Sequence, residues 1–234
     1  MKSYIYPAAT TTARALIRYI IDMMNREPER IFYIAFSGGT TPCLMFDIWA
    51  HEYREETPWM RMRIFWVDER CVPVHDSDSN YGNMLRLLQE VGMPDEFVFP
   101  ICGVCRHPEK EAKRYSDLVF STVPLRRGFP SFDMVLLGAG DDGHTSSIFP
   151  GQEHLLSSFL PYAESINPYN GQPRIAMTGC LLFAAKKIVF LITGKSKAKV
   201  VYDILKSGDI GPAAYVAHHA EDVDVFTDIE VESR

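Results

Sequence analysis

No apolar run in this chain approaches the ~20 residues needed to span a membrane. The amino-terminal Met1-Lys2-Ser3-Tyr4 lacks the apolar core of a secretory signal. Cysteine is sparse and odd in number, five in all. That argues against a disulfide framework and for a reducing, cytoplasmic compartment. There is no basic surplus: the net charge is −6. General affinity for nucleic acid, which rests on neutralising phosphates, is therefore not expected. A small anionic ligand is not excluded, because it needs only a local basic cluster. Internal repeats and low-complexity tracts are missing. So is a Gly-x-Ser-x-Gly elbow, which disfavours a serine nucleophile.

The residues that are present describe an ordinary globular α/β chain. Apolar residues make up 47% and charged residues 23% of 234, a length that suits one domain over 1–234. Such a chain buries roughly 70–75% of its unfolded surface and needs no staples. Ala13, Leu16, Ile17, Ile20, Ile21 and Met24 recur at helical spacing, with Thr10 to Thr12 offering an N-cap and Pro28 a stop. Ile31–Phe36, Arg63–Val67, Phe132–Leu137, Arg174–Thr178, Ile188–Thr193 and Val223–Phe226 read as strands. Helices are expected after Thr41-Pro42, after Asn80, over Pro108–Val119 and from Ala198. Pro161–Pro173 reads as an irregular loop or flap. Strands alternating with helices predict a Rossmann-like, mainly parallel sheet with helices on both faces.

Four loops after strands carry the residues with chemistry. Gly138 to His144 packs three glycines, two carboxylates and one histidine into seven residues. There Asp142 can orient His144 and favour its charged form. Ser37-Gly38-Gly39-Thr40-Thr41-Pro42 lies between a strand and a helix start, a natural anion site. It is neither a Walker loop, since no Gly-Lys-Ser/Thr follows it, nor a dinucleotide fingerprint. Asp68-Glu69-Arg70 offers Arg70 for a phosphate and Asp68 for sugar hydroxyls, or else a solvated strand end. Lys195 in Thr193-Gly194-Lys195 can neutralise an anion near a helix start, as can Arg174, and both are equally readable as solvated cations. Cys102-Gly103-Val104-Cys105 is a lone CxxC whose only neighbouring ligand type is His107, and His218-His219 lacks a partner ligand, so no metal site is expected. Cys43, Cys71 and Cys180 read as packing residues. The acidic stretch between Val72 and Asn83 lacks the glycine and glutamate of a calcium loop.

Taken in order, these loops resemble the 6-phosphogluconolactonase family over nearly the whole chain. The resemblance rests on Phe36 to Pro42, Asp68 to Pro73, Ser79 to Met84, Gly140 to Gly151 and Thr193-Gly194-Lys195. It implies hydrolysis of 6-phospho-D-glucono-1,5-lactone, a step of the oxidative pentose phosphate pathway. It also implies a Rossmann-like sheet shared with glucosamine-6-phosphate deaminases. Those deaminases typically carry a glutamate where Phe149 stands and Asp-Glu-Tyr where Asp68-Glu69-Arg70 stands. Ala176 and Phe183 depart from the lactonase pattern.

The expected mechanism makes His144 the base that activates water, held by Asp142. Backbone N–H groups of a Gly-rich loop, or Arg70, would steady the oxyanion. Ser37, Gly38, Gly39, Thr40, Thr41, Asp68, Arg70, Arg174 and Lys195 would bind the sugar phosphate. No metal or organic cofactor is implied. The partner is a small sugar-phosphate lactone rather than nucleic acid or membrane, and the protein would act as a monomer or small homo-oligomer. A deaminase and a non-catalytic sugar-phosphate sensor are the competing readings.

Overall fold

The computed structural model describes residues 1–207 and 210–231. Its strands are β1 (Lys2–Ile5), β2 (Phe32–Phe36), β3 (Met62–Trp66), β4 (Asp68–Arg70), β5 (Val98–Phe99), β6 (Leu125–Arg126), β7 (Phe129–Pro130), β8 (Met134–Leu137), β9 (Tyr162–Ile166), β10 (Pro173–Met177), β11 (Ile188–Ile192) and β12 (Val223–Thr227). Its α-helices are α1 (Ala9–Asn25), α2 (Thr40–Glu52), α3 (Asn80–Glu90), α4 (Pro108–Thr122), α5 (Gly179–Leu182), α6 (Ala198–Tyr202) and α7 (Gly211–His219).

Seven strands form one sheet in the order β1-β12-β11-β8-β2-β3-β5. Every neighbouring pair in it is parallel. Its central strands are continuous apolar runs, as strands buried on both faces must be. Every residue of β8 and β11 is buried. From β2 the chain steps to β3 and β5 on one side, then returns to β8 on the other. The order therefore reverses between β2 and β8, which opens a crevice at the carboxyl ends of the strands.

Helix interiors match the apolar spacing, and their ends differ from it. Helix α1 buries Ala13, Leu16, Ile17, Ile20, Ile21 and Met24. It starts earlier than expected, at Ala9, and the Thr11 hydroxyl instead exchanges hydrogen bonds with the Ala8 backbone. Ser79, not Asn80, caps α3, accepting from the Gly82 N–H at 3.0 Å. Helix α2 opens at Thr40 behind Gly39, so Pro42 falls within its first turn, where no N–H is required.

A second sheet, antiparallel and in the order β4-β10-β9, leans over the crevice. It corrects the reading of Pro161–Pro173 as wholly irregular: Tyr162–Ile166 is a strand, and only a turn over 167–172 joins it to β10. The segment Tyr-Ala-Glu-Ser-Ile lacks an apolar signature and sits among prolines and asparagines, so pairing with β10 decides its conformation. Val67 links the sheets, donating to Phe36 O and accepting from the Met177 N–H.

Candidate active site

The crevice holds a cavity of about 190 Å³. The turns after β2, β8 and β11 line it from below, and β4 and β10 line it from the side. Ser37, Gly38, Gly39, Thr40, Thr41, Asp68, Arg70, His144 and Arg174 all face it. The amino terminus of α2 opens onto it, placing the positive end of a helix dipole there. Thr41 and Thr193 hydroxyls meet at 3.1 Å and tie the β2 and β11 turns together.

The turn after β8 folds back on itself. The Gly140 N–H donates to His144 O and the Thr145 hydroxyl to Gly138 O. The Ala213 N–H of α7 donates to Gly143 O and anchors it from outside. Asp142 Oδ1 then lies 2.6 Å from His144 Nδ1 and also accepts the His144 backbone N–H. A carboxylate only accepts, so Nδ1 carries the proton and Nε2 holds the lone pair. Burial alone would raise the Asp142 carboxyl, but the His144 hydrogen bond and charge, with the Tyr169 hydroxyl, hold it well below the usual carboxylate range. The Phe149 ring packs against His144 with centroids 4.5 Å apart. A Cβ on Gly140 would fall 2.1 Å from His144 Nδ1 and 2.5 Å from Asp142 Oδ1, so only glycine leaves room for the pair. Ser146 and Ser147 follow with φ of +53° and +54°, a strained conformation for such residues. Their hydroxyls are both used: Ser146 donates to Met177 O, Ser147 to Asp68 Oδ2.

The other end of the cavity is cationic. Arg70 and Arg174 stand directly opposite each other in the β4–β10 register. Like charges so placed repel unless something between them is negative. Arg70 donates to Asp78 O at 2.6 Å, and Arg174 donates to Gln172 Oε1 at 3.0 Å and weakly to the Ser147 hydroxyl. The Nε atoms of both are buried without a protein partner. Burial, partly offset by Asp68, lowers the Arg174 guanidinium from its ordinary value. Asp68 is buried and pinned between the two ends, accepting from Ser37, Asn80 and Ser147 side chains. Asn80 crowds Gly38 so closely that a Cβ there would overlap it at 1.9 Å.

One candidate lies elsewhere than its motif suggested. Lys195 is exposed and does not line the cavity, whereas Lys197 does, paired with Asp141 at 2.8 Å. With three residues per turn, the 3₁₀ segment Lys195–Lys197 sends its first and last residues out on different sides, a local geometry that strand-end spacing does not reveal. Ser147 and Tyr169 were also not singled out. Ser147 sits inside the Gly140–Gly151 motif, which was its available signal. Tyr169 had none, since its role depends on β9 pairing with β10. Among the described residues, no group of three or more His, Cys, Asp or Glu is placed to hold a metal ion. Cys105 Sγ lies 4.0 Å from Cys71 Sγ, outside the cavity wall.

An oriented histidine at one end and two facing arginines at the other suit the crevice of this parallel sheet to a small anionic ligand. Comparison with known proteins agrees. The family model described as glucosamine-6-phosphate isomerases/6-phosphogluconolactonase matches residues 7–225, and the chain belongs to that family. It is 37% identical over 224 residues to a 6-phosphogluconolactonase of Treponema pallidum, covering 94% of this chain and 89% of the relative. The structure of a 6-phosphogluconolactonase from Trypanosoma brucei superposes with a TM-score of 0.86 at 26% identity, covering 97% of this chain and 95% of the other. A monomeric glucosamine-6-phosphate deaminase superposes with a TM-score of 0.82 at 22% identity, covering 97% of each, so the fold alone does not separate the two activities.

Proposed function

We propose that this protein hydrolyses 6-phospho-D-glucono-1,5-lactone to 6-phosphogluconate in the oxidative pentose phosphate pathway, as one catalytic unit over 1–234. The observation that carries the reading is the meeting in one cavity of His144, which Asp142 holds from behind, and the facing arginines Arg70 and Arg174. Neutral His144 takes a proton through Nε2 from a water, which attacks the lactone carbonyl carbon. Asp142 holds the ring and stabilises the imidazolium. Backbone N–H groups of the glycine-rich turns steady the tetrahedral oxyanion. Collapse breaks the bond from that carbon to the ring oxygen, and His144 returns its proton to the departing oxygen. The phosphate lies among the Ser37–Thr41 turn, Arg70, Arg174 and Lys197, which orients the carbonyl against the water. Phe149 supplies no acid or base beside His144, which favours simple hydrolysis over the proton transfers on carbon that deamination requires.

The test is proton release from freshly generated 6-phosphogluconolactone, corrected for spontaneous hydrolysis. Wild type is expected to release protons rapidly, and His144→Ala to lose roughly 10²–10⁴-fold in kcat. Background release by the wild type would reject the lactonase reading. Ammonia release from glucosamine 6-phosphate would then identify a deaminase, and binding without turnover a sensor.

A further inference from the structure

The turn over 167–172 bridges β9 to β10 and reaches both ends of the cavity. Tyr169 at its tip is 70% exposed, yet its hydroxyl donates to Asp142 Oδ2 at 2.8 Å. Gln172, where the turn ends, accepts from Arg174 at 3.0 Å. The turn is itself fixed, by Asn167 N–H to Gln172 O and Gly171 N–H to Asn167 O, and its entry is held by Gln152, whose side chain donates to Ile166 O. An exposed tyrosine needs no protein partner for its hydroxyl, because water serves equally well. Its ring also stands edge-on to Phe149 at 6.4 Å, and Phe149 packs on His144.

We propose that Tyr169 is a positioning residue that completes a Tyr169–Asp142–His144 relay and sets the basicity of His144. One Asp142 oxygen serves His144 while the other serves Tyr169. The carboxylate is thereby fixed in plane, and part of its negative charge is drawn toward the phenol. Less charge then remains to stabilise the imidazolium, so removing the hydroxyl leaves the carboxylate freer to favour a proton on His144. Burial raises the Asp142 carboxyl; the same hydroxyl, after His144, helps to lower it. The other charged groups of the cavity are Asp68, Arg70, Arg174 and Lys197, the last paired with Asp141 outside it, and none of these is hydrogen-bonded to Asp142 among the described residues. This inference rests on the lactonase reading only for its kinetic consequence.

The experiment compares wild type with Tyr169→Phe, which keeps the ring and removes the hydroxyl. The His144 imidazole is titrated by NMR, with His144→Gln assigning its resonance, and the pH profile of kcat/KM is measured in parallel. The His144 pKa is expected to rise by roughly half to one unit in Tyr169→Phe. The acid limb of kcat/KM should move up with it, and kcat should fall roughly 3–10-fold with KM little changed. Gln172→Ala, at the arginine end of the same turn, should raise KM and leave the His144 titration in place. Identical His144 titration in wild type and Tyr169→Phe would overturn the proposal, since a merely structural turn residue would not move that pKa. A shifted titration in a protein that hydrolyses no lactone would leave the relay standing and reject the lactonase reading instead.

Discussion

The two sheets of this protein divide the work differently. The seven-stranded parallel sheet presents the cavity mostly with backbone and small side chains: Ser37 to Thr41 after β2, Gly138 to Ser147 after β8, Thr193 after β11. Its interior is apolar, and Gly38 and Gly140 in its turns leave room for Asn80 and for the His144–Asp142 pair. The three-stranded antiparallel sheet presents charge: Asp68 and Arg70 on β4, Arg174 on β10. It is short and partly polar, and it faces a buried aspartate and two arginines toward the same space. The large sheet buries its central strands on both faces and offers the ends of its turns as the rim. The small sheet holds like charges together, an arrangement that makes sense when an anion joins them. Residues at catalytic and binding sites commonly carry such local frustration.

The comparison breaks most severely at Gly140. Alanine there would press on both His144 Nδ1 and Asp142 Oδ1 without touching the charged sheet. Gly140→Ala is expected to lose activity roughly as far as removal of the base does, 10²–10⁴-fold in kcat, while thermal unfolding shows a folded protein. A variant that keeps wild-type turnover would show that the turn can rearrange around the pair. Next in size is Arg174→Met, on the small sheet. Losing one charge-assisted phosphate contact is worth roughly 1.5–3 kcal/mol, so KM should rise about 10–100-fold with kcat nearly held. Inorganic phosphate should raise the Tm of the wild type and do so less for the variant, because ligand binding to the folded state stabilises it. A fall in kcat at constant KM would move Arg174 from the phosphate to the oxyanion.

A smaller effect separates two lysines on one 3₁₀ turn. Lys197→Met should raise KM several-fold, and Lys195→Met should leave KM unchanged within error, since only Lys197 lines the cavity. Equal effects of the two would mean the turn does not hold the geometry seen here.

The same division of labour explains what could be read from the residues alone. The central strands of the large sheet are apolar runs, and β2, β3, β8, β11 and β12 lie within a residue or two of their expected bounds, whereas the mostly exposed β1 and the two-residue β5 have no such run and were not expected. The Gly140–Gly151 turn was legible because few chemistries put Asp142 and His144 two residues apart amid glycines. The small sheet was not legible as a sheet. β4 is three charged residues and β9 an undistinguished pentapeptide, so neither has a local signature and both are set by tertiary pairing. The facing of Arg70 and Arg174 depends on that pairing, and so does the reach of Tyr169 to Asp142. Nothing in sequence spacing links positions 70 and 174.

The smallest expected effect concerns the edge where the two regions meet, at Asp142. Its carboxyl is held below the usual range despite burial, by His144 and Tyr169. A carboxyl whose folded pKa lies below its unfolded value of about 3.9 stabilises the protein above that value. That contribution fades as pH falls from about 4 toward the folded pKa. Asp142→Asn cannot titrate, so its Tm should fall less steeply than the wild type's as pH drops below about 4. Parallel Tm profiles from pH 6 to 3 would show that the bonds to His144 and Tyr169 do not persist in solution. The Tyr169–Asp142 contact that ties the small sheet's turn to the large sheet's histidine would then be lost with them.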